Sequence, residues 1–213
     1  MRAANLIATL FIATAFGAAA QAADVKVGVA NAISDAGLFI AKEKGYFQQE
    51  GLNVEIISFA SGANMVAPLG SGQLDVGGGS AAASFYNAYA RGIKMKIVAD
   101  NASSTPGYPV NRLVVRSDLV KSGRFKTLAD LRGMKLAMNA PGVAAQVTLD
   151  IILKKGGVTR DQIETINMSM PDYVAALRNK AVDASIATEP FGSLSIRDGE
   201  AVAIVGDDEI VPG

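Results

Sequence analysis

Apolar and polar positions change their period several times along the first hundred residues. Residues 25–30 alternate between apolar and polar positions as a strand does, which places the Lys26 side chain toward solvent. The helical run that follows this strand ends at Gly45. The predicted strands of this part lie at 25–30, 54–57, 74–76 and 95–99, and the predicted helices at 38–44 and 81–91. Strands that alternate with helices are typical of a parallel sheet. The pattern therefore predicts an α/β lobe over residues 23–100.

A stretch without hydrophobic period separates this lobe from a second one. Residues 100–109 are rich in Asn, Ser, Thr, Pro and Gly, which indicates a boundary. Apolar runs then resume, with predicted strands at 112–116, 134–138, 164–168 and 182–184. We predict two lobes, 23–100 and 112–190, joined by a hinge at 101–111, with residues 191–213 returning toward the first lobe.

A glycine-rich turn in the first lobe has a partial copy in the second. The stretch from Gly72 to Ala83 joins a short apolar strand, headed by Asp75, to three glycines and a helix start. After a similar short helix, Asp183 heads a similar strand 108 positions further on. Two such units favour two similar lobes, although short patterns of Leu, Val, Ala and Asp also recur by chance in a chain that is 50% hydrophobic.

Candidate ligand-binding residues lie where predicted strands end and helices begin. Open α/β sheets bind ligands at the carboxyl ends of their strands, and free N–H groups at helix starts bind polar ligand groups. In the first lobe these residues are Asn31, Ser34, Asp35, Gly79, Ser80 and Ala81. In the second lobe they are Gly142, Val143, Ala144, Tyr173 and Glu189. For the polar side chains among them, helix capping and turn formation are competing interpretations.

Composition removes several classes of function. Twenty basic residues balance twenty acidic ones, so neither nucleic acid nor an anionic membrane surface is a predicted partner. The chain has no cysteine and therefore no disulfides. It has no histidine, which removes Ser-His and Cys-His nucleophile pairs, histidine acid–base catalysis and the usual zinc sites. We predict a protein that is not an enzyme and that needs no cofactor or metal.

The first 22 residues have the pattern of a secretory signal peptide. Arg2 supplies the positive start, an apolar run spans residues 6–20, and the small residues Ala20 and Ala22 flank Gln21. A membrane anchor is the alternative, but the run is about fifteen residues against the roughly twenty that a spanning helix needs. We therefore predict export to the periplasm, cleavage after Ala22, and no membrane span in the mature chain.

Three motifs of the chain resemble one family. They are residues 40–55, IAKEKGYFQQEGLNVE; residues 72–80, GQLDVGGGS; and Val182-Asp183-Ala184 with Glu189-Pro190. Together they are similar to the NitT/TauT-type periplasmic substrate-binding proteins. That family includes sulfonate-, taurine- and pyrimidine-precursor-binding members related to thiamine-pyrimidine synthases. The resemblance covers nearly all of the chain after the signal peptide, and the first motif is quite specific.

The resemblance implies a two-lobed, hinged α/β fold of the periplasmic-binding-protein type II. Such a protein captures a small molecule between its lobes and delivers it to an ABC permease in the inner membrane. By position, the ligand-facing loops are 31–35, 78–81, 141–144 and 188–189. The ligand classes implied are sulfonate, taurine, nitrate, and pyrimidine- or amine-like molecules. If Asp35 and Glu189 both line the cleft they repel a sulfonate, which favours a neutral or amine-bearing ligand.

One departure from the family concerns the C-terminal side. Relatives continue with a segment that recrosses the hinge and completes the first lobe, so we expect that lobe to be incomplete here. The chain is then a fragment of a longer binding protein or a reduced variant that associates with another chain. A thiamine-pyrimidine-synthase-like enzyme is a further alternative. Those synthases use histidine and a cysteine-rich motif, and this sequence contains neither histidine nor cysteine. The effector-binding domain of a transcription regulator is a third alternative. Such regulators have an N-terminal basic helix-turn-helix, and this sequence shows none.

Overall fold

The computed structural model describes residues 22–211, and the strands within this range form two separate β-sheets. The predicted signal peptide lies outside the described residues except for Ala22. The strands are β1 Ala23–Val29, β2 Leu52–Ser58, β3 Val76–Gly77, β4 Asn111–Arg116, β5 Lys135–Met138, β6 Glu164–Asn167, β7 Ala184–Thr188 and β8 Ala201–Gly206. The helices are α1 Ala36–Glu43, α2 Tyr46–Gln49, α3 Val66–Gly70, α4 Ala83–Ala90, α5 Ser117–Lys121, α6 Ala144–Gly156, α7 Tyr173–Arg178, α8 Phe191–Arg197 and α9 Asp207–Ile210.

The first lobe contains a three-stranded parallel sheet in the order β2-β1-β3. In the central strand, Val27 and Val29 are buried, whereas Lys26 faces solvent as its place in the alternation predicts. Val54 of β2 joins the two valines in a small core. The α/β class and the parallel arrangement of the strands predicted for this lobe are confirmed.

The prediction of a fourth strand in the first lobe, over residues 95–99, was wrong. Residues 93–98 have no regular secondary structure, and Ile97 and Val98 are 62% and 81% exposed. An apolar run becomes a strand only where a neighbouring strand can bond its backbone. The outer strand β3 pairs over only two residues, since Gly78 begins the loop to α4, and so it gives the run no partner.

The second lobe contains a five-stranded mixed sheet in the order β6-β5-β7-β4-β8. Strands β5, β6 and β7 are parallel, whereas β4 is antiparallel to both of its neighbours. Apolar side chains cover both faces. Leu113, Leu136 and Leu149 belong to one fully buried cluster, and Val114 and Tyr173 belong to the cluster on the other face. This lobe holds the larger core of the protein.

Residues 191–211 differ from the expected return toward the first lobe. They form α8, β8 and α9, and β8 pairs antiparallel with β4 at the edge of the second sheet. The buried Phe191 and Ala201 join the core of the second lobe. Pairing with β4 satisfies the backbone of β8 and closes an edge that would otherwise be open, which is why this segment stays with the second lobe.

The connection between the lobes is held by hydrogen bonds rather than by the predicted hinge strand. Over residues 101–110 the only described strand-like contact is a bridge between Thr105 and Tyr108. Instead, the buried carboxylate of Asp207 accepts from the Ser104 hydroxyl at 2.7 Å, the Val110 N–H at 3.1 Å, and the Asn111 N–H and Nδ2 at 3.0 and 2.9 Å. The end of the connection is thereby fastened to α9.

The two lobes share a local device that matches the sequence repeat. In the first, the Asp75 carboxylate accepts the N–H of Lys26 at 2.8 Å, and the Asp75 N–H donates to the Lys26 carbonyl at 3.0 Å. In the second, Asp183 exchanges the same two bonds with Lys135, at 3.0 and 2.8 Å. Each aspartate therefore fastens the start of the third strand of its unit to the first strand.

An ion-pair cluster in the second lobe predicts acid sensitivity. Arg116 is bonded to Asp118 at 2.8 Å and to Asp183 at 3.2 Å, and its hydrogen bond lowers the pKa of Asp118 from 3.8 to about 2. A lowered pKa in the folded state stabilises above the unfolded value, so this contribution is lost as the pH falls from about 4 to 2. We expect Arg116→Met to flatten the pH dependence of the urea midpoint in that window. Equal slopes in wild type and variant would contradict the assignment.

Candidate functional site

A cavity of about 280 Å³ lies where loops of the two lobes meet. The first lobe supplies the loops that follow β1 and β2, and the second supplies the loop that follows β6. The lining residues are Ala30, Asn31, Ser58, Phe59, Ala60, Ser169, Met170 and Pro171. All three loops leave the carboxyl ends of parallel strands, which is where open α/β sheets place their ligands.

Asn31 is the polar side chain that the cavity shares with the predicted site. Its backbone is left-handed, with φ of 57°, a conformation that asparagine adopts more readily than most residues. The Ser58 hydroxyl donates to the Asn31 Oδ1 atom at 3.3 Å. Because that bond uses the amide oxygen, the Asn31 NH2 group remains a donor for a ligand. Ser169 contributes a hydroxyl from the second lobe, so the cavity combines neutral polar groups with an apolar wall.

Asp35 does not line the cavity, but its buried carboxylate holds this loop in place through hydrogen bonds. It is 1% exposed, and its Oδ2 atom accepts the N–H groups of Ala30 and Ala32 at 2.9 and 3.1 Å. It therefore fixes the turn that carries Asn31, as the turn-forming interpretation predicts, and it makes no side-chain cap to α1. Ser34 lies half-buried beside it on a 3-10 turn, Ile33–Asp35, that precedes α1.

Gly78 explains part of the glycine-rich motif. A Cβ atom at this position would lie 2.6 Å from the Asp35 Oδ1 atom and 3.4 Å from the Gly28 carbonyl oxygen. Only glycine allows the loop after β3 to approach the buried carboxylate so closely. At this glycine the motif serves packing within the lobe.

The remaining loop residues of the predicted site form a second contact between the lobes. Gly79, Ser80 and Ala81 are not buried, and α4 begins after Ala82, so Ser80 does not cap it. Instead the Ser80 hydroxyl accepts the Ala144 N–H at the start of α6 at 3.2 Å.

Across the same contact, the Ser84 N–H donates to the Gly142 carbonyl at 2.9 Å. Val143, which lies between the two bonded residues of the second lobe, is buried in the core of that lobe.

Tyr173 was predicted to reach the cleft, and the structure places it in the core of the second lobe. It is completely buried, and burial raises the pKa of its phenol above the usual range. Tyr173 and Leu177 lie one helical turn apart on α7, and both face the sheet. The helix face that carries Tyr173 is therefore an apolar packing face.

Glu189 is held by a cation and by a helix start. Its carboxylate lies 2.7 Å from the Arg112 guanidinium, and its Oε2 atom accepts the Ser193 N–H of α8 at 3.0 Å. Its backbone carbonyl accepts the Ile33 N–H of the first lobe at 2.8 Å. Neither Asp35 nor Glu189 lines the cavity, so the repulsion of a sulfonate that we expected from them has no basis there.

Seven lining residues were missed from the sequence: Ala30, Ser58, Phe59, Ala60, Ser169, Met170 and Pro171. Each lies at or just after the carboxyl end of β1, β2 or β6. Ligands lie at the carboxyl ends of strands, but the prediction used this rule only for strands that are followed by a glycine-rich or acidic loop. The same rule, applied to every parallel strand, would have found these residues.

Comparison with known proteins decides the family. The family described as "NMT1/THI5 like" matches residues 33–205. The chain belongs to this family. Its fold agrees with that of a solved structure, the alkanesulfonate-binding protein SsuA from Xanthomonas axonopodis pv. citri bound to MOPS. The TM-score is 0.71 at 24% identity, covering 86% of this chain and 61% of that one.

Curated relatives of the family are also similar along the sequence. A protein of Brucella abortus (strain 2308), described as a binding protein, is 30% identical over 146 residues, 68% of this chain and 41% of that protein. A protein of Bacillus subtilis (strain 168), described as an aliphatic sulfonates-binding protein, is 27% identical over 216 residues, 95% of this chain and 61% of that protein. The chain therefore spans about half the length of these relatives.

These relatives are binding proteins rather than enzymes. An enzyme is related at lower identity: 4-amino-5-hydroxymethyl-2-methylpyrimidine phosphate synthase of Schizosaccharomyces pombe, 24% identical over 71% of this chain and 40% of its own. Within residues 22–211, no helix is both long and apolar enough to cross a bilayer.

Proposed function

We propose that the protein is the periplasmic solute-binding component of an ABC importer and that it captures a small organic molecule between its lobes. The observation that carries this proposal is the cavity lined by Asn31, Ser58 and Phe59 from one lobe and by Ser169 and Met170 from the other. A ligand there touches both lobes at once, as a binding protein that closes on its solute requires. Family membership and the names of the relatives support it.

The lining favours an aliphatic sulfonate over an amine. Among the described residues, no carboxylate lines the cavity, and the donors left for a ligand are neutral, namely the Asn31 amide and the Ser169 hydroxyl, since the Ser58 hydroxyl donates to Asn31. Sulfonate oxygens accept such bonds, while Phe59, Met170 and Pro171 offer apolar surface to a short alkyl chain. The volume of about 280 Å³ is near the lower end of the roughly 300 to 1,000 Å³ of ligand pockets. The Bacillus relative described as binding aliphatic sulfonates supports the same class.

Isothermal titration of the purified chain tests this function directly. The panel is methane-, ethane- and butanesulfonate, taurine, nitrate and an aminopyrimidine. We expect saturable binding at one site for an alkanesulfonate, weaker binding for taurine, and none for the aminopyrimidine. The absence of binding by every member, from a chain that melts cooperatively, would contradict the proposed function. Preference for the aminopyrimidine would overturn the sulfonate assignment alone.

Asn31→Asp tests the same site through charge. The substitution keeps the shape of the side chain but puts a carboxylate beside the ligand, so the affinity for an alkanesulfonate is expected to fall by at least about tenfold. Asn87→Asp makes the same change on the exposed surface of α4 in the same lobe and serves as the control. Titration of both variants with an alkanesulfonate measures the two affinities. Equal affinities would mean that Asn31 lies away from the ligand.

A further inference from the structure

Two hydroxyl groups in the core of the second lobe have no protein partner. Tyr173 and Ser185 are both 0% exposed, and no atom within residues 22–211 forms a hydrogen bond with the Tyr173 Oη atom or the Ser185 Oγ atom. A hydroxyl that is buried without a hydrogen bond destabilises the folded state, and nearly all buried polar groups of folded proteins have a partner. The two hydroxyls therefore need a partner that is not a protein atom.

The register of the second sheet determines the direction of the Ser185 side chain. Ser185 lies in the central strand β7, opposite Val114 of β4 and Ala137 of β5. Successive side chains of a strand point to opposite faces, and both neighbours of Ser185 along β7, Ala184 and Ile186, belong to the cluster of Leu113 on one face. Ser185 therefore points to the other face, which α7 and α8 cover.

The Tyr173 side chain packs on the same face. It belongs to one cluster with Val114 and Ala137, the two residues that flank Ser185 in the sheet. Ala187, two residues further along β7, belongs to that cluster as well. Small side chains therefore line the sheet beneath the aromatic ring, and the hydroxyls of Tyr173 and Ser185 are polar groups in an otherwise apolar region.

A third polar atom on this face also lacks a protein partner. Arg112 lies opposite Ala187 in the ladder between β4 and β7, and opposite residues of a ladder share a face. The Arg112 Nη2 atom lies 2.7 Å from the carboxylate of Glu189, but the buried Nε–H donates to no atom of the described residues. The face therefore combines one group that only donates with two hydroxyls that both donate and accept.

The chemistry of the three groups favours water over an ion. The charge of Arg112 is already balanced by Glu189, so an anion here would be a buried charge without a counter-charge. A cation would be repelled by the guanidinium. Water is neutral, donates two hydrogen bonds and accepts two, and typically forms about three bonds to buried polar groups in proteins.

We propose that the second lobe contains an internal water site beneath α7, at which water bonds the hydroxyls of Tyr173 and Ser185 and accepts from the Arg112 Nε–H. Met170, which lines the cavity, belongs to the same cluster as Tyr173, so the site lies behind one wall of the cavity. Neither Tyr173 nor Ser185 lines the cavity itself. The inference is therefore independent of the proposed function and of the identity of the solute.

The sign of two stability changes tests the water site. If water bonds both hydroxyls, Tyr173→Phe and Ser185→Ala each remove a hydrogen bond, and each is expected to lower the urea midpoint. The double variant is expected to lose less than the sum of the two single losses, because both substitutions act on the same water. If the hydroxyls have no partner at all, their removal relieves the core. A midpoint that is unchanged or raised in both single variants would overturn the proposal.

Tyr86→Phe and Ser193→Ala are the matched controls. Tyr86 is 60% exposed on α4, and Ser193 is an exposed residue of α8 in the same lobe as the site. These substitutions delete the same two hydroxyl groups at positions in contact with solvent. Both are expected to leave the urea midpoint within error of the parent.

Oxygen-17 magnetic relaxation dispersion detects long-lived internal water directly. The dispersion amplitude of the folded parent is expected to exceed that of the Tyr173→Phe/Ser185→Ala double variant by at least one water molecule. Equal amplitudes would overturn the proposal even if the midpoints had fallen.

A comparison of chloride with fluoride at equal ionic strength tests the alternative of a bound anion. We expect the difference between the parent and the double variant in urea midpoint to be the same in both salts. A difference that appears only in chloride would assign the site to an anion and overturn the assignment of water.

Discussion

Asp207→Ala is expected to lower the free energy of unfolding by about 3 kcal/mol or more. The Asp207 carboxylate is 7% exposed and accepts four hydrogen bonds, from the Ser104 hydroxyl, the Val110 N–H, and the backbone and side chain of Asn111. Alanine removes the acceptor of the Ser104 hydroxyl and of the two buried Asn111 donors, whereas the Val110 N–H keeps the Ser104 oxygen at 2.9 Å; each buried donor left without an acceptor costs about 1 to 3 kcal/mol. The connection between the lobes should also lose its anchor.

Urea unfolding of the variant, with Asp150→Ala as control, measures this loss. Asp150 forms an exposed ion pair with Arg160 at 2.6 Å, and such pairs contribute about 0 to 1 kcal/mol. Asp207→Asn keeps the shape and one acceptor oxygen, so its stability should lie between wild type and Asp207→Ala. Hydrogen exchange at Val110 and Asn111 should accelerate in Asp207→Ala. A loss no larger than that of the Asp150 variant would contradict the role of the carboxylate as the anchor.

Asp35→Ala is expected to lower the free energy of unfolding by about 2 kcal/mol and to weaken ligand binding by more than tenfold. The Oδ2 atom accepts the N–H groups of Ala30 and Ala32, and removal of the carboxylate leaves both without an acceptor. The effect on binding is indirect, because the turn between these residues carries Asn31 into the cavity. A cavity whose polar side chain has moved loses affinity even though Asp35 does not touch the ligand.

Asp35→Asn separates this role from a direct contact. The amide keeps an oxygen for the turn but removes the charge. If Asp35 acts by shaping the loop, Asp35→Asn should bind an alkanesulfonate within a few fold of wild type. Thermal melts establish that each variant is folded, and titration gives the affinities. Loss of binding by Asp35→Asn in a stable protein would instead show that the ligand needs the carboxylate itself.

Much of the fold could be predicted because it depends on local patterns. The alternation around Lys26 marks β1, and the left-handed Gly157 ends α6. The repeat of Asp75 and Asp183 could also be found in the sequence, although the distant partners that these aspartates bond, Lys26 and Lys135, could not. The two-lobed α/β class follows from these patterns, and the family resemblance carried on residues 40–55 is confirmed.

The errors concern partners that are distant in sequence. Residues 95–99 have the composition of a strand, but whether a strand forms depends on the edge that β3 presents. Residues 191–211 join the second sheet because β4 has a free edge, which is a property of the assembled sheet.

The prediction of the site was limited in the same way, by partners that are distant in sequence. A serine after glycines predicts a cap for the helix that follows, yet Ser80 caps α6 in the other lobe. Likewise, the glycine motif predicts a cradle for a ligand, whereas Gly78 makes room for the buried Asp35. In both cases the residue type was informative, and its partner could be identified only from the folded chain.

Amide chemical-shift mapping during titration with an alkanesulfonate tests the central claim most directly. The account predicts that the shifts concentrate in both lobes, at Asn31, at residues 58–60 and at residues 169–170, with saturation at one equivalent. Shifts confined to one lobe, or centred on the open groove of Phe39 and Glu43 on α1, would contradict capture of the solute between the lobes.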